Sequence, residues 1–88
     1  MWTIEYDPEA LNDLKKLDRP VQREILDYMD QRVAAAEYPR QFGKPLRGSR
    51  FGLWRYRVRD YRIICELQGQ RLVVLVVAVG HRSTVYED

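Results

Sequence analysis

Apolar and polar positions change their period twice along this chain. Trp2, Ile4 and Tyr6 alternate with Thr3 and Glu5, which predicts a short strand over Trp2 to Tyr6 with one buried face. Asp7-Pro8-Glu9 then reads as a helix start, with Asp7 as N-cap, Pro8 in the first helical position and Glu9 favourable to the helix dipole. Ala10, Leu11, Leu14 and Leu17 form the apolar stripe of this first helix. Asp18-Arg19-Pro20 interrupts and restarts it, and Val21, Ile25, Tyr28, Met29 and Val33 continue at helical spacing. The second helix is expected to run to about Tyr38, because Pro39 disfavours a helical residue before it. So short a joint makes the two helices an antiparallel hairpin.

A loop rich in Gly, Pro and basic residues follows from Arg40 to Gly52, and the remainder has strand period. From Leu53 to Arg59, Trp54, Tyr56 and Val58 occupy one face and Arg55, Arg57 and Arg59 the other. Tyr61 to Leu67 begins almost at once, so a two-residue turn at Arg59-Asp60 joins the two strands. A second hairpin is expected at Gln68-Gly69, with the glycine supplying a positive φ and Glu66 facing Arg71. Leu72 to Val79 is apolar on both faces, as an interior strand would be. The order β-α-α-β-β-β predicts one α+β domain over residues 1–88, a helical hairpin packed on a small, mainly antiparallel sheet.

Composition narrows the function. A chain of 88 residues builds a single core, and its one cysteine, Cys65, offers neither an internal disulfide nor a CxxC pair. The N-terminus lacks the basic and apolar regions of a secretory signal, and the run Leu72 to Val79 is too short for a membrane helix, so a soluble cytoplasmic protein is expected. Charge is sharply divided: residues 1–37 carry five basic and nine acidic side chains (net −4), and residues 38–88 carry ten and four (net +6). The division predicts an acidic back and a basic working face.

The tight turn would pair Arg57 with Arg62 and Arg55 with Ile64, leaving Arg55, Arg57 and Arg62 on one sheet face. Like charges directly opposite on neighbouring strands cost stability, and an anion relieves the cost; phosphate suits it, because guanidinium offers paired donors in a fixed fork. Each arginine taken singly is most simply a solvated strand position. Lys44, Arg47 and Arg50 in the preceding loop make the cluster a candidate phosphate grip. The helices lie in the acidic half and show no basic readout face for duplex DNA, so single-stranded RNA is the better fit. Trp54 and Tyr56 point to the opposite face and are expected in the core, and Tyr61 is expected to be structural.

Lys44-Pro45-Leu46-Arg47-Gly48, then Gly52-Leu53-Trp54-Arg55-Tyr56-Arg57 with Asp60-Tyr61-Arg62, then Val79-Gly80-His81-Arg82 ending in Val85-Tyr86, are three motifs in order. Together they resemble the RelE-type toxins of bacterial toxin–antitoxin systems, in the RelE/ParE superfamily, over nearly the whole chain. The resemblance implies the same β-α-α-β-β-β fold and an endoribonuclease that cleaves messenger RNA in the ribosomal A site. There the 2′-hydroxyl attacks the adjacent phosphate to leave a 2′,3′-cyclic phosphate and a 5′-hydroxyl, with no metal or other cofactor. Carried over by position, Arg55, Arg57, Arg62, Arg82 and Tyr86 are the implied catalytic residues, and Lys44, Arg47, Arg50, Arg59 and His81 the implied RNA contacts.

Arg55 and Arg57 depart from the family, which often has lysine there. Free arginine keeps its proton far above neutral pH and is a poor general base. The four arginines are therefore assigned to binding phosphate and stabilising its transition-state charge, and Tyr86 to proton handling. Imidazole is the side chain that changes charge near neutral pH, so His81 is a second acid–base candidate; otherwise it is a phosphate contact or a structural residue.

The resemblance also implies a cognate RelB-like antitoxin. A ParE-like toxin, which inhibits DNA gyrase without cutting nucleic acid, is the competing class, and Arg62, Arg82 and Tyr86 argue against it. An inactive RNA- or antitoxin-binding relative is the third.

Overall fold

The computed structural model describes residues 1–83. A strand β1 (Thr3–Tyr6) leads into α1 (Pro8–Lys15) and α2 (Arg19–Tyr28). After the loop come β2 (Lys44–Pro45), β3 (Trp54–Val58), β4 (Tyr61–Gln68) and β5 (Val73–His81). The strands form one five-stranded sheet in the order β1-β5-β4-β3-β2, parallel between β1 and β5 and antiparallel elsewhere. The helical hairpin covers one face, as the hydrophobic pattern predicts, and β2 is an additional strand.

The first helix starts where expected: the Asp7 carboxylate accepts a hydrogen bond from Ala10 N at 2.9 Å, and Pro8 needs no donor in the first turn. Ala10 and Leu14 are buried, whereas Leu11 is exposed and leaves the expected stripe. The second helix ends earlier than Pro39 alone implies. After Tyr28 the chain continues as a π-helical turn, Met29–Val33, in which Ala34 N donates to Met29 O at 2.8 Å. The wider turn keeps Ile25, Met29 and Val33 all buried, and Ala34 O accepts from Trp2 N at 3.0 Å, docking the helix end beside β1. Pro39 does hold Tyr38 in an extended conformation, as expected.

The core lies between the hairpin and the sheet face made by Tyr56, Val58, Ile63, Cys65, Val74, Val76 and Val79. Trp54 and Tyr56 point into this side and pin the segment that follows α2: Trp54 Nε1 donates to Phe42 O at 2.7 Å and Tyr56 Oη to Pro39 O at 3.0 Å. Tyr61 packs against the same core. The β4–β5 turn departs from expectation. It spans four residues, with the positive φ (55°) at Leu72 rather than Gly69. Glu66 therefore faces Leu75, and Arg71 instead meets Gln68 Oε1 at 2.6 Å and Glu5 at 3.7 Å.

Burial pushes the Tyr6 and Tyr56 phenols and the Cys65 thiol well above their ordinary values. Tyr6 Oη is buried without a hydrogen-bond partner, which normally costs about 1–3 kcal/mol. Tyr6→Phe is therefore expected to leave the urea midpoint unchanged or to raise it at pH 7. The unfolded phenol ionises above about pH 10 and the folded one resists, so Tyr6 withdraws stability as pH climbs past that value. The variant should consequently lose less stability than the native chain at pH 11.

Candidate nucleic-acid interface

The hairpin register is the one the tight turn dictates: Arg57 faces Arg62, Arg55 faces Ile64 and Val58 faces Tyr61. Arg59 takes the first turn position at φ 55°, a conformation that a non-glycine residue adopts at some cost. β2 adds one pairing more, placing Lys44 directly opposite Arg55. Lys44, Arg55, Arg57 and Arg62 thus share the sheet face turned away from the helices. On β5 the residue facing Arg62 is Gly80, which has no side chain to crowd the guanidinium. Arg62 is half-buried and Arg57 exposed.

Arg82 stands at the end of the same sheet, just past β5, where its backbone N donates to Asp60 O at 2.8 Å. The same turn organises Arg57, whose Nε donates to Arg59 O at 3.0 Å. Two successive turn carbonyls therefore set one arginine on β3 and the backbone that carries another beyond β5. Arg47 and Arg50 lie in the β2–β3 connection, around a 3-10 turn over Gly48–Arg50.

Two expected RNA contacts are placed elsewhere. Arg59 turns its guanidinium toward α2 and meets Glu24 at 2.6 Å, and this carboxylate raises its already high pKa further. His81 faces Tyr61 and so lies on the helix side of the sheet, edge-on to that ring with centroids 5.6 Å apart. Its Nδ1 is 2.8 Å from Ser83 Oγ. Tyr86, the expected proton handler, lies outside the described residues.

One contact had no legible precursor in the sequence. Between Ile64 and Cys65 the β4–β5 ladder shifts register, so Cys65 faces Val76 and Ile64 faces Ala78, with Val77 as the additional residue. β1 pairs with β5 only as far as Val76. Beyond it Val79 N is bonded at 3.0 Å by Asp13 Oδ2 of α1, a side chain standing in for the missing strand. Asp13→Ala should orphan that amide and cost about 1–3 kcal/mol. The urea midpoint would read the loss, and faster amide exchange from Val79 onward would localise it.

A family model described as the ParE toxin of the type II toxin–antitoxin system, parDE, matches residues 4–86. The Toxin RelG of Mycobacterium tuberculosis is 25% identical over 85 residues, covering 97% of this chain and 95% of the relative. Among solved structures, the toxin–antitoxin complex RelBE2 of Mycobacterium tuberculosis superimposes with a TM-score of 0.84 at 24% identity, over 93% of this chain and 92% of that one. The intact Escherichia coli RelBE complex gives 0.73 at 22% identity, over 92% and 96%. The fold is that of the small RelE-like toxins. The chain belongs to the ParE toxin family of type II toxin–antitoxin systems, within the RelE/ParE superfamily. Among the described residues, no helix is long and apolar enough to cross a membrane.

Proposed function

We propose that this toxin is a ribosome-dependent endoribonuclease that cleaves messenger RNA in the A site without a metal. The observation that carries this reading is the cross-strand register, Arg57 facing Arg62 and Lys44 facing Arg55. Four cations on adjoining strand positions repel one another, and an RNA backbone with its phosphates in the same geometry relieves that repulsion. Arg55, Arg57, Arg62 and Arg82 hold the scissile phosphate and stabilise the charge of its pentacoordinate state. Tyr86 orients or deprotonates the 2′-hydroxyl, which attacks the adjacent phosphorus as the P–O5′ bond breaks and the departing 5′-oxygen takes a proton from solvent water. The products are a 2′,3′-cyclic phosphate and a 5′-hydroxyl. A RelB-like antitoxin, as in the RelBE complexes of the structural relatives, holds the toxin inactive in the cytoplasm.

The family description favours one second reading, a gyrase-inhibiting toxin that cuts no RNA. Inducing the chain in cells, then mapping new RNA ends and the topology of a plasmid, separates the two. Cleavage inside translated codons, lost in Arg82→Ala and Tyr86→Phe while antitoxin binding persists, supports the nuclease. Gyrase-dependent DNA breaks with intact messages would sink it.

A further inference from the structure

Phe51 is 86% exposed. It stands in the loop that joins β2 to β3, the two strands that carry Lys44 and Arg55. This loop is closely braced. Leu46 N donates to Leu53 O at 3.0 Å across its mouth, Phe51 N to Gly48 O at 3.0 Å, and Leu53 N to Arg50 O at 3.1 Å. Gly48 (φ 64°) and Gly52 (φ 98°) supply the left-handed conformations that this path requires. The ring is thus carried on ordered backbone, with open space next to it: a Cβ added at Gly52 would meet nothing within 4 Å.

An outward phenyl ring contributes little to this core, which closes without it. Its sequence neighbour Arg50 is basic, as are Arg47 in the same loop and Lys44 and Arg55 on the two strands that the loop joins. A braced aromatic surface on the loop between two cation-bearing strands has the chemistry to stack a nucleobase while the arginines take the adjoining phosphates. An acidic peptide would satisfy the charges but has no use for the flat face of the ring. β3 runs from the Phe51 end of the site to the Arg59-Asp60 turn beside Arg82, and its five residues span about 17 Å at ordinary strand rise. A stretch of a few nucleotides fits between.

We propose that Phe51 is a base-stacking platform for single-stranded RNA, placing one nucleotide of the substrate at the Lys44 and Arg55 end of the sheet. This role presupposes the RNA-binding face proposed above. Its test uses the full chain and a short single-stranded RNA containing 2-aminopurine, offered alone and as the message of a stalled ribosome, with fluorescence reporting stacking. Phe51→Ala should weaken binding about 5- to 150-fold, the range set by loss of one base–aromatic stack, and should abolish the quench. Phe51→Trp should retain both, and Phe51→Leu should resemble alanine.

Phe51→Ala should leave the dependence of affinity on salt unchanged, because no phosphate contact is lost, whereas Arg55→Gln should flatten it. Thermal unfolding of each variant verifies that the fold persists. Native chain that binds RNA no better than Phe51→Leu or Phe51→Ala would overturn the platform and leave the RNA-binding face standing. Native chain that neither binds nor cuts RNA in either format would bring down both. A Phe51→Ala loss confined to an aliphatic acidic peptide, with RNA affinity intact, would assign the ring to a protein partner and overturn the proposal.

Discussion

Gly43→Ala is expected to cost about 2–5 kcal/mol, combining the penalty for an L-residue in the left-handed region with that for overpacking. A chain of 88 residues has only about 4–13 kcal/mol of net stability to lose. Gly43 adopts φ 72°, and an added Cβ would stand 2.3 Å from Arg55 O, 2.8 Å from Trp54 Nε1 and 2.9 Å from Tyr56 Cδ1. The first of these is backbone, so the clash is relieved only by moving β2 away from β3. Lys44 would leave its place opposite Arg55, and the Trp54 hydrogen bond to Phe42 would be strained with it. Gly52→Ala is the matched control, since it has a positive φ and open surroundings, and should cost only about 1 kcal/mol. Urea denaturation compares the two. A Gly43→Ala midpoint equal to that of Gly52→Ala would mean that β2 is not held against β3 as described.

Arg57→Thr is expected to separate activity from stability. Threonine suits a strand, and losing the guanidinium removes one partner of the Arg57–Arg62 opposition, worth a few tenths to about 1 kcal/mol of repulsion. The exposed bond from Arg57 Nε to Arg59 O is lost in exchange. The melting temperature should therefore stay level or rise. RNA cleavage should fall about 100- to 1,000-fold, the usual consequence of removing one preorganised donor from a developing oxyanion. Cleavage of a programmed ribosome's message, followed by primer extension, gives the rate. A variant that cuts normally removes Arg57 from the machinery; one that unfolds removes the claim that the pair is strained.

Those two residues show how differently the chain's features were legible. The arginine opposition follows from local rules, because a two-residue turn and strict alternation leave one register in which Arg57 meets Arg62. The clash at Gly43 does not. In sequence Gly43 is one more glycine in a loop, and it becomes indispensable only because folding closes it against the Arg55 carbonyl of β3, with Trp54 and Tyr56 reaching back to pin the Pro39–Phe42 segment. Likewise Gly69 suggested a glycine turn, yet a wider four-residue turn was adopted, with Leu72 carrying the positive φ. The second helix ends in a π turn over Met29–Val33, and the carbonyl of Ala34 just past it accepts from Trp2 N, thirty-odd residues distant in sequence.

Periodicity determined the α+β class, the helical hairpin, the apolar interior strand and the side of the sheet to which Arg55, Arg57 and Arg62 point. These depend on which face a residue occupies, and a repeat of 2 or 3.6 specifies that locally. Three ordered motifs added the superfamily, which the family match bears out. Tertiary structure alone decided the membership of the cationic face. It drew Lys44 in through β2, turned Arg59 toward Glu24, put His81 on the helix side beside Tyr61, and left Phe51 exposed in the β2–β3 loop. Each of these outcomes depends on what a side chain meets after distant segments close on one another, and no local period records that.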